Sequence, residues 1–130
     1  MRVTVVDASA VAAVLFDEPE AAPVLASVAG RLLAPGLIRY ELASVCATKS
    51  IRNPDRQVEI EARYHLLSRL ALDLREPEWD GLPSLARRFA LSVYDAAYLQ
   101  LALSLPAPLV TLDARLAAAY DDAIAGGLGA

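Results

Sequence analysis

The chain has 130 residues, of which 56% are hydrophobic and 22% charged, with a formal net charge of −4. That is enough chain for one domain, residues 1–130, burying about two-thirds of its unfolded surface, and too little for two. No uncharged apolar run approaches the roughly 18 residues that span a bilayer, and the acidic balance excludes adhesion to nucleic acid through a broad basic footprint.

The opening MRVTVVDASA lacks the basic, apolar and cleavage regions of a secretory signal, so a cytoplasmic protein is expected. VTVV, residues 3–6, is β-branched and uncharged and predicts a buried strand stopping at Asp7, with a helix over Ala8 to Phe16. Asp17 is expected to cap a second helix through about Ala29, with Pro19 near its first turn and Gly30 ending it. LLAP predicts the next strand, and Pro35 and Gly36 lead into a helix over about Leu37 to Ser50 that carries Glu41. Asn53 and Pro54 open an amphipathic helix to about Leu70, with Gln57, Glu61, His65 and Arg69 opposite Val58, Ile60, Leu66 and Leu67. A brief strand at Leu72 to Leu74 precedes helices over Pro83 to Leu91 and about Tyr94 to Leu105. LVTL, residues 109–112, predicts a last buried strand ending at Asp113, then a helix to about Tyr120. Apolar strands alternating with helices imply a parallel sheet covered on both faces, whose ligands bind outside the strands' carboxyl ends.

Four acids stand in apolar surroundings: Asp7 in VVDASAV, Glu41 in LIRYELASV, Asp95 in SVYDAAYLQLA and Asp113 in LVTLDARL. Each alone has a structural explanation, since Asp7 and Asp113 could cap the helices that follow and Ser92 with Asp95 fits a capping box. Glu41 is harder to explain so, because Leu37, Ile38 and Val45 lie one helical turn away with only Ser44 polar. Four such carboxylates brought together would repel one another without a counter-charge. Convergence therefore implies a divalent cation, and all-oxygen ligands suit Mg²⁺ or Mn²⁺. Such ions activate water and neutralise phosphate charge, so phosphate chemistry is the natural use.

Other chemistries fit poorly. Zinc sites need Cys and His clusters, and this chain has one of each, Cys46 and His65. Cys46 reads as a small core residue in a reducing compartment, and His65, in line with Glu61 and Arg69, reads as a solvated surface residue. No phosphate-cradling glycine loop is present. Tyr40, Tyr94 and Tyr98 adjoin the acids and could contact a base or sugar, although aromatics at helical spacing more often serve a core. The cations are all arginine apart from Lys49; a guanidinium fork suits bidentate phosphate contacts, but arginine bias is more often a compositional habit.

The ordered set VVDASA, RYELAS, SVYDAAYLQLA and LVTLDARLA resembles the PIN-domain ribonucleases over nearly the whole chain, and especially the VapC toxins of toxin–antitoxin pairs. The resemblance implies a PIN-like α/β/α sandwich with a central, mainly parallel sheet, and Mg²⁺- or Mn²⁺-dependent endonucleolytic cleavage of RNA, possibly tRNA. Asp7, Glu41, Asp95 and Asp113 match the family's acidic metal-binding quartet, with Ser9 and Thr111 matching polar residues that accompany it. A homodimer neutralised by a cognate antitoxin is implied as well. The tail DDAIAGGLGA departs from the pattern, offering little for the terminal strand many relatives carry.

Three other readings compete. A catalytically silent PIN-like module would use the acids for a structural ion or hydrogen bonds and its surface for a protein partner. A receiver-like phospho-acceptor domain needs paired early acids and a late lysine, where Lys49 is wrongly placed. A haloacid-type phosphatase wants a second aspartate two residues after Asp7, where Ser9 stands.

Overall fold

The computed structural model describes residues 2–129. In chain order it comprises β1 (Val3–Val6), α1 (Ala8–Leu15), α2 (Ala21–Ser27), β2 (Arg31–Ala34), α3 (Ile38–Arg52), α4 (Gln57–His65), β3 (Leu72–Leu74), α5 (Leu82–Phe89), α6 (Val93–Ser104), β4 (Leu109–Val110) and α7 (Ala114–Ala125). The strands form one sheet in the order β3-β2-β1-β4, every pair parallel. Val5 faces Leu33 on one side and Leu109 on the other, so the buried β-branched run of β1, residues 4–6, occupies the sheet's centre. A strand with neighbours on both edges and helices on its faces has no solvated side, which is why it reads as continuous apolar sequence. Helices flank the sheet: α1 packs on α2 and α3, α3 on α4, and α6 on α5 and α7. No helix among the described residues is long and apolar enough to cross a membrane.

From β1 the chain steps outward to β2 and then β3, and crosses back to lay β4 on the other side of β1. The order reverses between β1 and β4. At such a switch point the two following connections leave in opposite directions and open a crevice at the strands' carboxyl ends. Asp7 directly follows β1, and Asp113 comes three residues after the end of β4, before α7.

The joint between α2 and β2 depends on a glycine. Gly30 has φ +73, and a Cβ built on it would lie 2.1 Å from the Arg2 carbonyl oxygen. That closeness lets Arg31 N–H donate to the same oxygen and lets Thr4 exchange hydrogen bonds with Ala29, the hydroxyl donating at 2.7 Å. Gly30→Ala should therefore cost about 1–3 kcal/mol. A urea midpoint unchanged from that of the parent would contradict this account of the joint.

Several boundaries differ from the expectation. Asp17 does not cap α2. It has φ 54 and ends α1, with Asp17 N–H donating to Val14 and Glu18 N–H to Ala13, the paired bonds of a Schellman closure. Helix α2 starts only at Ala21, so Pro23 falls in its first turn, where no N–H is missed. The expected helix over 53–70 is α only from Gln57 to His65, with 3₁₀ turns at Pro54–Arg56 and Leu66–Arg69. Its inward face is Ile60, Tyr64 and Leu67, whereas Val58 and Leu66 are exposed. Strand β4 has two residues instead of four because Leu112 and Asp113 N–H groups donate to the Ser9 and Thr111 hydroxyls and leave the ladder. Helix α7 continues past Tyr120 to Ala125, and no strand follows it among the described residues.

Candidate active site

Asp7 is 5% exposed, and every hydrogen bond its carboxylate makes comes from the switch point itself. Its Oδ1 accepts from Ala10 N–H at 3.0 Å, capping α1, and from the Ser9 hydroxyl at 2.8 Å; Oδ2 accepts from the Thr111 hydroxyl at 2.5 Å. The two hydroxyls lie 3.3 Å apart, tying α1 to the segment after β4. Asp113 caps α7, accepting from Arg115 and Leu116 N–H at 2.9 and 3.2 Å through Oδ1. Both capping explanations are thus real, and each leaves carboxylate oxygen over. Asp113 Oδ2 makes no hydrogen bond among the described residues.

Glu41 and Asp95 reach the same edge from the first turns of α3 and α6. Asp95 N–H donates to Ser92 Oγ at 3.1 Å, the backbone half of the expected capping box. Glu41 Oε1 accepts from the Tyr98 hydroxyl at 2.5 Å. Tyr98, 1% exposed, lies one turn beyond Asp95 on α6, so one helix supplies an acid and the clamp on another. Of the three tyrosines near the acids only Tyr98 joins the core, Tyr40 and Tyr94 being exposed, and the Tyr98 phenol also orients Glu41. A buried phenol needs a hydrogen-bond partner, and that requirement, with an unpaired acid on a nearby helix, was the available signal.

The carboxylates are desolvated and feel one another. Burial raises the Asp7 carboxyl above its ordinary range against three lowering hydrogen bonds, and Asp113 raises it further. Glu41 is raised first by burial and then by Asp95 and Asp7, with the Tyr98 bond opposing. Burial raises Asp95, with Asp113 and Asp7 adding to it and Ser92 and Arg115 pulling back. Burial and the bond to Glu41 push the Tyr98 phenol far up, so it stays a neutral donor. None of the four acids forms a salt bridge among the described residues.

These hard oxygen donors, short of positive charge, fit a small divalent ion in chemistry. The fit in geometry is looser. No three His, Cys, Asp or Glu side chains among the described residues group closely enough to ligate one ion directly. Mg²⁺ typically takes one or two carboxylates and keeps several waters, so the remaining acids can act through its hydration shell.

Tyr98→Phe keeps the buried ring and removes the donor. Without that bond the Glu41 carboxyl rises further, so the acidic limb of a pH–activity profile should move to higher pH, with activity at neutral pH reduced about tenfold or more. A profile superimposable on the parent's would show that the clamp has no part in the site.

A PIN-domain family model matches residues 4–122, which takes in all four acids. The chain belongs to the PIN-domain family. PIN domains are generally nuclease modules that use divalent metals. The crystal structure of PAE2754 from Pyrobaculum aerophilum is similar at a TM-score of 0.71 and 24% identity, covering 91% of this chain and 86% of that one. At that identity it supports the fold alone. None of the curated proteins compared with the chain matches it. Membership accounts for the parallel sheet and its flanking helices, and removes the receiver-like and haloacid-type readings.

Proposed function

We propose that this PIN domain is a metal-dependent endoribonuclease, the toxin of a type II toxin–antitoxin pair, hydrolysing phosphodiester bonds in structured RNA, with tRNA the first substrate class to try. The observation that carries the nuclease reading is the unpaired acidic edge: Asp7, Glu41, Asp95 and Asp113 at the switch point, three with carboxyls raised by burial and mutual repulsion. Perturbed carboxylates clustered at a sheet's carboxyl edge favour a functional site over a solvated surface. In this reading the four acids hold Mg²⁺ or Mn²⁺. The bound ion would supply a water of lowered pKa and neutralise charge on the phosphodiester.

The chain's own residues prepare that chemistry. The Ser9 and Thr111 hydroxyls fix both oxygens of Asp7, and the Tyr98 phenol fixes Glu41 and favours its ionised form against burial. Asp113 is oriented by two backbone N–H groups of α7. With rotamers held in advance, the carboxylates need little reorganisation when substrate arrives. His65 lies on α4, and its imidazole makes no hydrogen bond to any of the four acids among the described residues, so no imidazole base is assigned.

The toxin role, the cognate antitoxin and a homodimer rest on the motif resemblance, and a cytoplasmic setting and a single domain over residues 1–130 are proposed with them. Purified protein should cleave RNA internally when Mn²⁺ is supplied and cease with excess EDTA. Induced expression should arrest growth, and a small antitoxin encoded beside it should relieve the arrest. One observation favours a second reading, a catalytically silent PIN-like binding module: Asp7 and Asp113 already serve as caps, and no ligand trio is grouped. No cleavage of any RNA with any divalent ion would select that reading.

A further inference from the structure

Beside the acids lies a cavity of about 270 Å³, floored by Pro35 and Gly36 and rimmed by Tyr40, Tyr94 and Trp79. All three rings are largely in solvent, at 77%, 66% and 69% exposure. Large aromatics left exposed around one hollow are a binding feature more often than an accident of folding. The volume falls just below the roughly 300–1,000 Å³ of small-molecule pockets, so the hollow suits one flat group. Its position is set by the active-site helices: α3 carries Arg39 and Tyr40 next to Glu41, and α6 carries Tyr94 next to Asp95. Consecutive helical residues point about 100° apart, which puts the rings on the neighbouring wall and not among the acids.

We infer that this hollow receives an unstacked nucleobase of the RNA adjoining the scissile phosphodiester, a base-selecting subsite made by Tyr40, Tyr94 and Trp79. The inference rests on the ribonuclease reading of the acids. A net charge of −4 gives little long-range attraction for RNA, so affinity beyond the ion-held phosphate has to come from other contacts. Stacking supplies affinity independent of charge, because every base offers a π-face. The rim also carries polar groups able to read a base edge. Glu76 Oε1 would lie 2.9 Å from a Cβ at Gly36, and an Arg39 terminal nitrogen 3.6 Å from it. The two side chains make no salt bridge with each other or with other described residues. Glu76 is an acceptor for base N–H groups, and Arg39 a fork of donors. An apolar peptide side chain would use the rings but neither of these. A Cβ at Gly36 would meet only the ends of the flexible Glu76 and Arg39 side chains, so both polar groups stand over the floor of the hollow.

Trp79 is the sole tryptophan, so its emission reports on the hollow directly. Asp7→Asn protein with Mg²⁺ is titrated with single-stranded hexaribonucleotides and with abasic ribose-phosphate chains of equal length. Saturable quenching by the former and none by the latter is expected. Tyr40→Ala and Tyr94→Ala should each weaken binding about 5- to 150-fold, with far-UV circular dichroism unchanged because both rings are exposed. In the otherwise native protein, Trp79→Leu should raise KM for RNA and alter the pattern of cut sites while leaving the Mn²⁺ dependence as it was. Unchanged emission with every oligonucleotide, equal quenching by abasic chains, or a response only to an apolar amphipathic peptide would overturn the inference. If native protein cleaves RNA yet the hollow is silent, the subsite fails and the nuclease stands. Base-dependent quenching in a protein that cuts nothing leaves the subsite standing and removes the nuclease.

Discussion

Asp7→Asn is expected to abolish Mn²⁺-dependent RNA cleavage, a fall of about 10²–10⁴-fold for the loss of several kcal/mol of metal-centred stabilisation, while the protein stays folded and melts no lower than the parent. The substitution separates the two roles of this side chain. Asparagine caps a helix as well as aspartate does, so the amide oxygen can keep the bond from Ala10 N–H. The new NH₂ faces Thr111 Oγ1, a hydroxyl that can accept as well as donate. The capping function therefore survives, and only the charge is lost.

That charge burdens the fold. Asp7 is nearly buried, without a cation, and its carboxyl is raised chiefly by desolvation, so at neutral pH the native state carries an ionisation it disfavours. Removing it should leave stability equal or higher, the pattern of a site that trades stability for activity. Asp95→Asn should behave alike, with a small cost from losing a negative charge in the first turn of α6, about 0.3–1 kcal/mol. If either variant retains full cleavage, that acid has no part in the reaction. If both unfold, the carboxylates are structural and the ion is not needed to explain them.

How far the sequence alone reaches can be read from these same residues. The buried strand of β1, the acid at its end and the apolar neighbours of Glu41 were legible because burial imposes a period and leaves an anomaly where a charge interrupts it. Strand β3 stands at Leu72–Leu74 as expected, although none of its residues is fully buried. What escaped was decided by hydrogen bonds between distant segments. LVTL reads as an uncharged strand centred on the β-branched Val110 and Thr111, yet it leaves the ladder after Val110, because Ser9 and Thr111 hydroxyls 102 positions apart take the backbone donors. Asp17 looked like the start of a helix because aspartate favours N-caps; it also tolerates the left-handed conformation, and the bonds from 17 and 18 back into α1 decided between them. The aromatic hollow was beyond local patterns altogether, since Trp79 meets Tyr40 and Tyr94 only after the segment following β3 has folded across α3 and α6.

The second large effect concerns pH and divalent ions together. Asp7, Glu41 and Asp95 have folded-state carboxyls raised above their unfolded values. Between the unfolded values, about 3.9–4.3, and the raised ones, the native state holds more protons than the unfolded chain. Its stability from these groups is fully present below that window and is lost as pH rises through it. Asp73 works in the other direction, since Arg75 and Arg31 lower its carboxyl and favour the folded state above its unfolded value. The difference between parent and Asp7→Asn therefore isolates the Asp7 part: in EDTA the parent should lose ground to the variant on going from about pH 4 to neutral. A divalent ion takes the place of the missing protons. At neutral pH, Mn²⁺ at 100 times its Kd should add about 2.7 kcal/mol, a rise in Tm on the order of 10 °C. The gain should fade toward pH 4 as protons compete for the same oxygens, and Asp7→Asn should show little of it at any pH. Thermal melts of both proteins, with Mn²⁺ and with EDTA across that range, give the answer. Equal Mn²⁺ stabilisation of parent and variant, or a gain that does not diminish in acid, would locate the ion elsewhere than among these carboxylates.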